Sequence, residues 1–353
     1  MTSEPLRVAV VGAGYWGPNL IRNFNSSPLW TLVAVVDRDT DRARHVIRGV
    51  QGVQLFASLG DLLDSDIVDA VAIATPAATH EALALQALTA GVHVVVEKPL
   101  AHDPRAGERM VALAKKRGLV LMTDHTYCYT PAVRRMREFI EGGELGEVLF
   151  VDSVRINLGL VQPDVDVFWD LAPHDLSILD YILPGGMAPV SVAAHGADPL
   201  GAGKACVGYL TLPLPGGAMA NVHVNWLSPT KIRQMVVAGT RRTIVWDDLN
   251  PQQRLSIYDR GVDLLQQSVD SVDRRAATVS YRLGDMWAPA LPEAEALGAM
   301  VEEFAASIRE RRASVTDGAS GLRVLSVLAA AQDSLARGGA SVALPQRSQE
   351  TTV

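Results

Sequence analysis

Three groups of residues in this chain have types and spacings that could do chemistry. The first is Glu97-Lys98-Pro99, which follows the β-branched run Val94 to Val96. Such a run reads as a strand buried on both faces, as in a parallel sheet, and in open α/β sheets the carboxyl ends of strands are where ligands bind. Pro99 disfavours the α region for Lys98 and sets the lysine in an extended conformation. The second is Gly12-Ala13-Gly14-Tyr15-Trp16-Gly17, which follows the strand pattern Leu6 to Val11 and precedes a helix candidate, Pro18 to Asn25. Gly12 allows a tight turn, Gly14 lets the backbone approach a pyrophosphate, and Gly17 lets helix and strand pack closely. The third is Trp169-Asp170-Leu171-Ala172-Pro173-His174-Asp175. Taking a hydride from an alcohol requires a group to accept the hydroxyl proton, and histidine titrates in the right range.

The elements that must position these groups alternate regularly through the first third. A strand over Thr31 to Val36 ends at Asp37, where an acidic side chain can bind a ribose 2′-hydroxyl and repel a 2′-phosphate, favouring NAD over NADP despite the neighbouring Arg38. Helices are predicted at Asp41–Arg48, Ser58–Leu63, Thr79–Ala90 and Pro104–Arg117. Strands are predicted at Val53–Phe56, Val68–Ala74, Val94–Val96 and Leu119–Met122. Thr75-Pro76 closes the fourth strand at the same sheet edge as Lys98, and His80 lies on the helix surface or faces the cofactor. This order specifies a doubly wound α/β domain over residues 1–124.

The pattern then changes. Pro131–Glu141 reads as an amphipathic helix. Alternating strands are expected at Glu147–Asn157, Val190–Ala194, Ala205–Leu212, Ala218–Trp226, Arg233–Val237 and Arg242–Val245, with a turn at Pro213-Leu214-Pro215-Gly216-Gly217. This predicts an α+β domain over residues 125–345 with a largely antiparallel open sheet, then a polar tail at 346–353. Pro173 is expected to make a turn before a helix over Asp175–Leu183, leaving His174 at or before its first turn.

With 48% hydrophobic and 20% charged residues, the chain is globular and long enough for two domains. A net charge of −7 argues against nucleic acid or an anionic membrane surface as partner. Cys128 and Cys206 cannot form a disulfide framework and match no zinc spacing, so no metal is expected. Neither a signal-peptide pattern nor an apolar run of about 18 residues is present, which reads as cytoplasmic.

Taken together, the glycine loop, Thr75-Pro76 with His80, Glu97-Lys98-Pro99, Leu145-Gly146-Glu147 and Asp170-x-x-x-His174 resemble the Gfo/Idh/MocA oxidoreductases of sugars and cyclitols. The resemblance spans roughly 300 residues in the family's order, with Ala172 where the late motif usually has glycine. It implies NAD as cofactor, a small-molecule sugar substrate and a homo-oligomer, dimer or tetramer. It also implies that Lys98 meets both nicotinamide and substrate hydroxyl, and that Asp170 and His174 complete the site. Either Lys98 or His174 could be the base. Tyr127, Arg155, Trp169 and Trp226 are expected on the substrate side.

The wording around Trp169 to Leu179, with Asn225-Trp226 and Lys231, resembles a branch that oxidises the C3 hydroxyl of hexosamine units in nucleotide-sugar and aminoglycoside pathways. For such a substrate, Arg155, Lys231 or Arg233 would suit a diphosphate. Asp164, Asp166 or Asp175 would suit a polyamine, which the net charge slightly favours. The rival readings are a keto-sugar reductase, a myo-inositol or cyclitol dehydrogenase, and a cofactor-binding regulator without catalysis.

Overall fold

The structure, a computed structural model, describes residues 4–264 and 279–345; the tail assigned to 346–353 lies outside them. Contacts divide the chain into two compact units, one of residues 1–130, 176–181 and 293–329 and the other of 131–175, 182–292 and 330–353.

In the first unit, strands β1 (Leu6–Val11), β2 (Trp30–Val36), β3 (Gln54–Phe56), β4 (Ala70–Ile73), β5 (His93–Glu97) and β6 (Leu121–Asp124) form one sheet in the order β3-β2-β1-β4-β5-β6. Every pairing in it is parallel. Between the strands run α1 (Gly17–Ser26), α2 (Thr40–Val46), α3 (Leu59–Leu63), α4 (His80–Thr89) and α5 (Pro104–Arg117). Local chemistry starts and stops them. Asp39, Ser58 and Asp103 cap α2, α3 and α5 by accepting backbone N–H groups, and Gly118 closes α5 in the left-handed conformation. The strand order reverses direction on either side of β1, so β1 and β4 flank a crevice at their carboxyl ends, the usual ligand site of this architecture.

The chain returns to this unit late. Helix α8, Ala296–Glu310, buries Phe304 against Trp30, with rings stacked 5.2 Å apart, and Phe24 meets Trp30 edge-on at 5.3 Å. The Trp30 indole N–H donates to the Val301 carbonyl at 3.0 Å, so the largest ring in this core also has its polar atom satisfied.

The second unit is built on a nine-stranded sheet. Its members are β7 (Val148–Leu158), β8 (Ser191–Ala197), β9 (Val207–Pro213), β10 (Met219–Asn225), β11 (Leu227–Gly239), β12 (Thr243–Asp247), β13 (Leu255–Leu264), β14 (Val279–Trp287) and β15 (Val342–Ala343). Their order is β14-β13-β12-β11-β7-β10-β9-β8-β15. The pairings are antiparallel except β7 with β10, which run parallel. Helix α6 covers Pro131–Glu141.

Helix α7 runs without interruption over Val167–Ile182, with Pro173 inside it. The expected turn before Asp175 is therefore replaced by two earlier turns of helix. The cause lies in the loop before it. Asp166 Oδ1 accepts the N–H groups of both Phe168 and Trp169 at 3.0 Å and starts the helix eight residues before Asp175. Phe168 then anchors this end on the sheet, because a Cβ at Gly208 of β9 would lie 2.1 Å from the Phe168 ring.

Candidate active site

The crevice of the first unit is a cleft of about 990 Å³, and the residues that line it include Gly12, Gly14, Asp37, Thr75, Glu97 and Lys98. Tyr15, Trp16, Arg38 and Pro76 also line it, so most of the cofactor residues expected from sequence meet in one place. The glycines divide their work as the chemistry requires. Gly12 has φ +102° and a Cβ there would press on the Ala74 carbonyl at 2.7 Å, while one at Gly17 would meet the Gly12 carbonyl at 2.1 Å. A Cβ at Gly14 would meet nothing within 4 Å, and that open space on the cleft wall is where a pyrophosphate can approach the backbone.

Asp37 ends β2 with a buried carboxylate. Oδ2 accepts the Ala13 N–H at 2.7 Å, and Oδ1 accepts the Asp39 N–H at 2.8 Å and the Arg42 guanidinium at 2.7 Å. Burial alone would raise its pKa, but the two N–H groups and Arg42 outweigh it and hold the carboxyl below its ordinary value. A fixed anion at the second strand end, on the wall of the cleft, is placed where a ribose diol can be met. Arg42 was missed by motif reading; its signal is its place one helical turn past the Asp39 cap. Ser58, Leu59, Gly60 and Gln86 extend the same wall and have no motif to mark them.

His80 does not line the cleft. It is buried behind it, its Nε2 2.7 Å from the Thr75 carbonyl and its Nδ1 2.9 Å from the Pro99 carbonyl. It therefore ties the end of β4 to the Lys98-Pro99 turn, whose peptide bond is cis. Gly17 is likewise a packing residue. Tyr127 stands in the single 3₁₀ turn Thr126–Tyr129 after β6 and is half-buried.

In the second unit, α7 carries the other chemical residues. Because the helix starts early, Asp170 and His174 lie four residues apart on one helix face. Asp170 Oδ2 accepts the indole N–H of Trp226 at 3.0 Å, and Trp226 itself is 1% exposed at the end of β10. The Trp169 indole donates to Gln332. Asp175 is turned inward. Its carboxylate takes Arg155 Nε at 2.7 Å and Nη2 at 3.1 Å, together with the Ser153 hydroxyl at 2.9 Å. Arg155 and Asp175 have side chains 3% and 2% exposed, so the two charges neutralise each other inside the unit and neither is presented to a ligand. That corrects the expectation that Arg155 or Asp175 would meet a charged substrate. Asp166 is occupied as a helix cap, and Arg233 faces Asp248 at 3.4 Å.

A parallel sheet with a glycine turn, a strand-end carboxylate and a lysine on one cleft is the arrangement of a dinucleotide-dependent oxidoreductase. Comparison with known proteins gives the family: residues 6–125 match the NAD-binding Rossmann-fold oxidoreductase family and residues 133–245 the GFO/IDH/MocA C-terminal domain. The chain belongs to the Gfo/Idh/MocA oxidoreductases and binds NAD. It is 30% identical over 323 residues to a UDP-N-acetylglucosamine 3-dehydrogenase of Acidithiobacillus ferrooxidans, covering 91% of this chain and 94% of that one. The solved structure of that enzyme superposes with a TM-score of 0.79 at 27% identity, covering 94% and 98% of the two chains. GenD2 from gentamicin A biosynthesis, solved in complex with NAD, superposes with a TM-score of 0.79 at 25% identity and covers 98% of both chains. An inositol 2-dehydrogenase of Corynebacterium glutamicum is 29% identical over 194 residues, 54% of this chain and 58% of its own. Among the described residues no cluster of ligating side chains could hold a metal ion, and no helix is long and apolar enough to cross a membrane.

Proposed function

We propose that this sugar dehydrogenase oxidises a ring secondary hydroxyl, at C3 of a hexose or aminohexose unit within a nucleotide-sugar or aminoglycoside, to a ketone that an aminotransferase then consumes. The observation that carries the reading is Lys98, which shares one cleft with Gly12, Gly14 and Asp37 and so stands beside the dinucleotide site. NAD, when bound, supplies the hydride acceptor. Lys98 holds and polarises the reacting hydroxyl, because an ammonium beside the oxygen stabilises developing alkoxide character. Asp170, oriented by Trp226, is assigned to a neighbouring hydroxyl, and His174 to the reacting one, where it can take the proton. The 3-dehydrogenase and the gentamicin-pathway relative support a hexosamine ring over a cyclitol. Asp37, backed by Arg42, favours NAD over NADP. Tyr209, Met219 and Phe150 are apolar side chains exposed on neighbouring strands of the second unit, and they support a homo-oligomer built on that sheet.

The test is to incubate the protein with NAD⁺ and, separately, UDP-N-acetylglucosamine, aminoglycoside pseudosaccharides and myo-inositol, following NADH and any dinucleotide that co-purifies. NADH formation with a hexosamine-bearing compound, giving a 3-keto product, is expected. Turnover of myo-inositol alone, or ketone reduction with NADPH as the sole activity, would overturn the reading.

A further inference from the structure

Lys98 has a use in this reading; the carboxyl group before it does not. Glu97 closes β5, and its register partner on β6 is Asp124. Glu97 as a residue is half-buried on the cleft wall, but its carboxyl is shielded from solvent. Oε2 accepts the Lys98 backbone N–H at 3.0 Å, whereas Oε1 is buried and receives no hydrogen bond. Asp124, 2% exposed, already accepts on both oxygens: the Trp16 indole at 3.2 Å on Oδ2 and the Thr126 hydroxyl at 2.6 Å on Oδ1. Register partners on adjacent parallel strands carry their side chains on the same face of the sheet, so the two carboxyl groups stand side by side. Two carboxylates this close and this dry do not both ionise, so one proton lies between them. Asp124 has a donor on each oxygen. Glu97 Oε1 is satisfied only if it donates.

We propose that Glu97 is held as a neutral carboxylic acid that donates from Oε1 to Asp124, and that it acts as a positioning residue which stands beside Lys98 without adding a charge. Burial above all, then the charge and hydrogen bond of Asp124, push the Glu97 carboxyl well above its ordinary range, with Lys98 and its N–H pulling the other way. The charged groups that reach Glu97, among the described residues, are Asp124 and Lys98. His125, which follows Asp124, is uncharged too. Burial pulls it down to about 4, against Asp180 and with Lys98 adding to the effect, and Asp180 is itself bound by Nε and Nη2 of Arg323 at 2.5 and 2.6 Å.

The consequence is electrostatic. An ionised Glu97 would set an anion beside the Lys98 ammonium and weaken its pull on the reacting hydroxyl; a neutral one leaves that pull whole. Trp16 connects this device to the glycine loop, since the residue at the start of α1 also donates to the carboxyl group that accepts from Glu97. The role given to Lys98 rests on the proposed reaction, but the place of the proton does not.

Two measurements test this separately. Infrared difference spectra of the full chain, wild type minus Glu97→Gln at neutral pH, are expected to show a protonated-carboxyl C=O band from the wild type. Its absence overturns the proposal whatever the substrate proves to be. The second measurement is the acid limb of kcat/KM against pH for the sugar substrate. Glu97→Gln should leave it within about 0.3 unit, because the amide N–H replaces the acid O–H toward Asp124. Asp124→Asn should move it up by about one unit or more, because an amide donor stabilises ionised Glu97, and an added anion raises the pKa of the group that takes the hydroxyl proton. The reverse pattern, Glu97→Gln lowering the limb and Asp124→Asn leaving it in place, would show that Glu97 carries a charge and overturn the proposal. If the sugars fail to turn over while the infrared band is present, the reaction assigned above falls and the neutral Glu97 stands.

Discussion

The cleft of the first unit and helix α7 of the second place similar side chains in opposite situations. Asp37 and Arg42 are a carboxylate and guanidinium 2.7 Å apart at a strand end, with Arg42 half-exposed on the cleft. Arg155 and Asp175 are the same pair at the same 2.7 Å, but closed off inside the unit. In the first case the charge is held ready for a ligand; in the second it is cancelled. The residue types and the 2.7 Å separation are the same in both, and what differs is whether the pair lies at a strand's carboxyl end or between a strand and a helix packed on it.

This difference can be broken or sharpened by substitution, most strongly at Lys98. Lys98→Ala should remove measurable turnover, a loss beyond about 10⁴-fold, since it takes away the group that polarises the hydroxyl. NAD affinity, measured by fluorescence titration, should stay within about threefold, because the glycine loop and Asp37, the groups proposed to hold most of the dinucleotide, are untouched. A parallel loss of NAD binding would mean that Lys98 is mainly a cofactor ligand.

His174→Ala should lower kcat by about 10²–10⁴-fold, the usual worth of general acid–base catalysis. A change in KM alone would leave Lys98 as the base.

The buried pair behaves otherwise. Arg155→Met leaves Asp175 charged and unpaired, and should destabilise the fold by about 3–5 kcal/mol in urea unfolding, with most of the cost removed by adding Asp175→Leu. If Arg155→Met were as stable as the parent and only KM rose, Arg155 would be a substrate ligand after all.

Asp37→Ser should reduce the preference for NAD⁺ over NADP⁺ by about tenfold, the equivalent of about 1.4 kcal/mol, as read from the ratio of kcat/KM values. Equal use of both cofactors by the unmodified chain would contradict the role given to Asp37. The smallest effect is expected for Trp226→Phe, which keeps an aromatic side chain, though a smaller one, and removes the N–H donated to Asp170. About 1 kcal/mol of orientation would be lost, seen as a several-fold fall in kcat/KM.

The same contrast explains what the sequence could reveal. In the first unit the chemistry is carried at strand ends, and strand ends are marked locally by glycine, proline and charge. Gly12, Asp37, Thr75 and Lys98 were therefore legible as a set, and the helix Pro104–Arg117 was delimited to the residue by Asp103, Pro104 and Gly118. His80 was legible as important but not as a clamp, because its partners are backbone carbonyls of Thr75 and Pro99 that no side-chain pattern announces. In the second unit the decisive contacts are between distant segments. The proline rule put a turn at Pro173, and the cap at Asp166 together with Phe168 seated on Gly208 overrode it. The parallel pairing of β7 with β10 is equally invisible locally, since strands expected from alternation carry no sign of their partner. The return of α8 to the first unit depends on Phe304 meeting Trp30, more than 270 residues earlier in the chain.

The central claim is that a hydride leaves C3 of a hexosamine ring beside Lys98. The most direct measurement uses a hexosamine-bearing substrate deuterated only at C3, with NAD⁺, following the label by mass spectrometry. The account predicts that deuterium appears in the NADH formed and that the rate shows a primary isotope effect. Unlabelled NADH, with deuterium retained in the oxidised product, would contradict it.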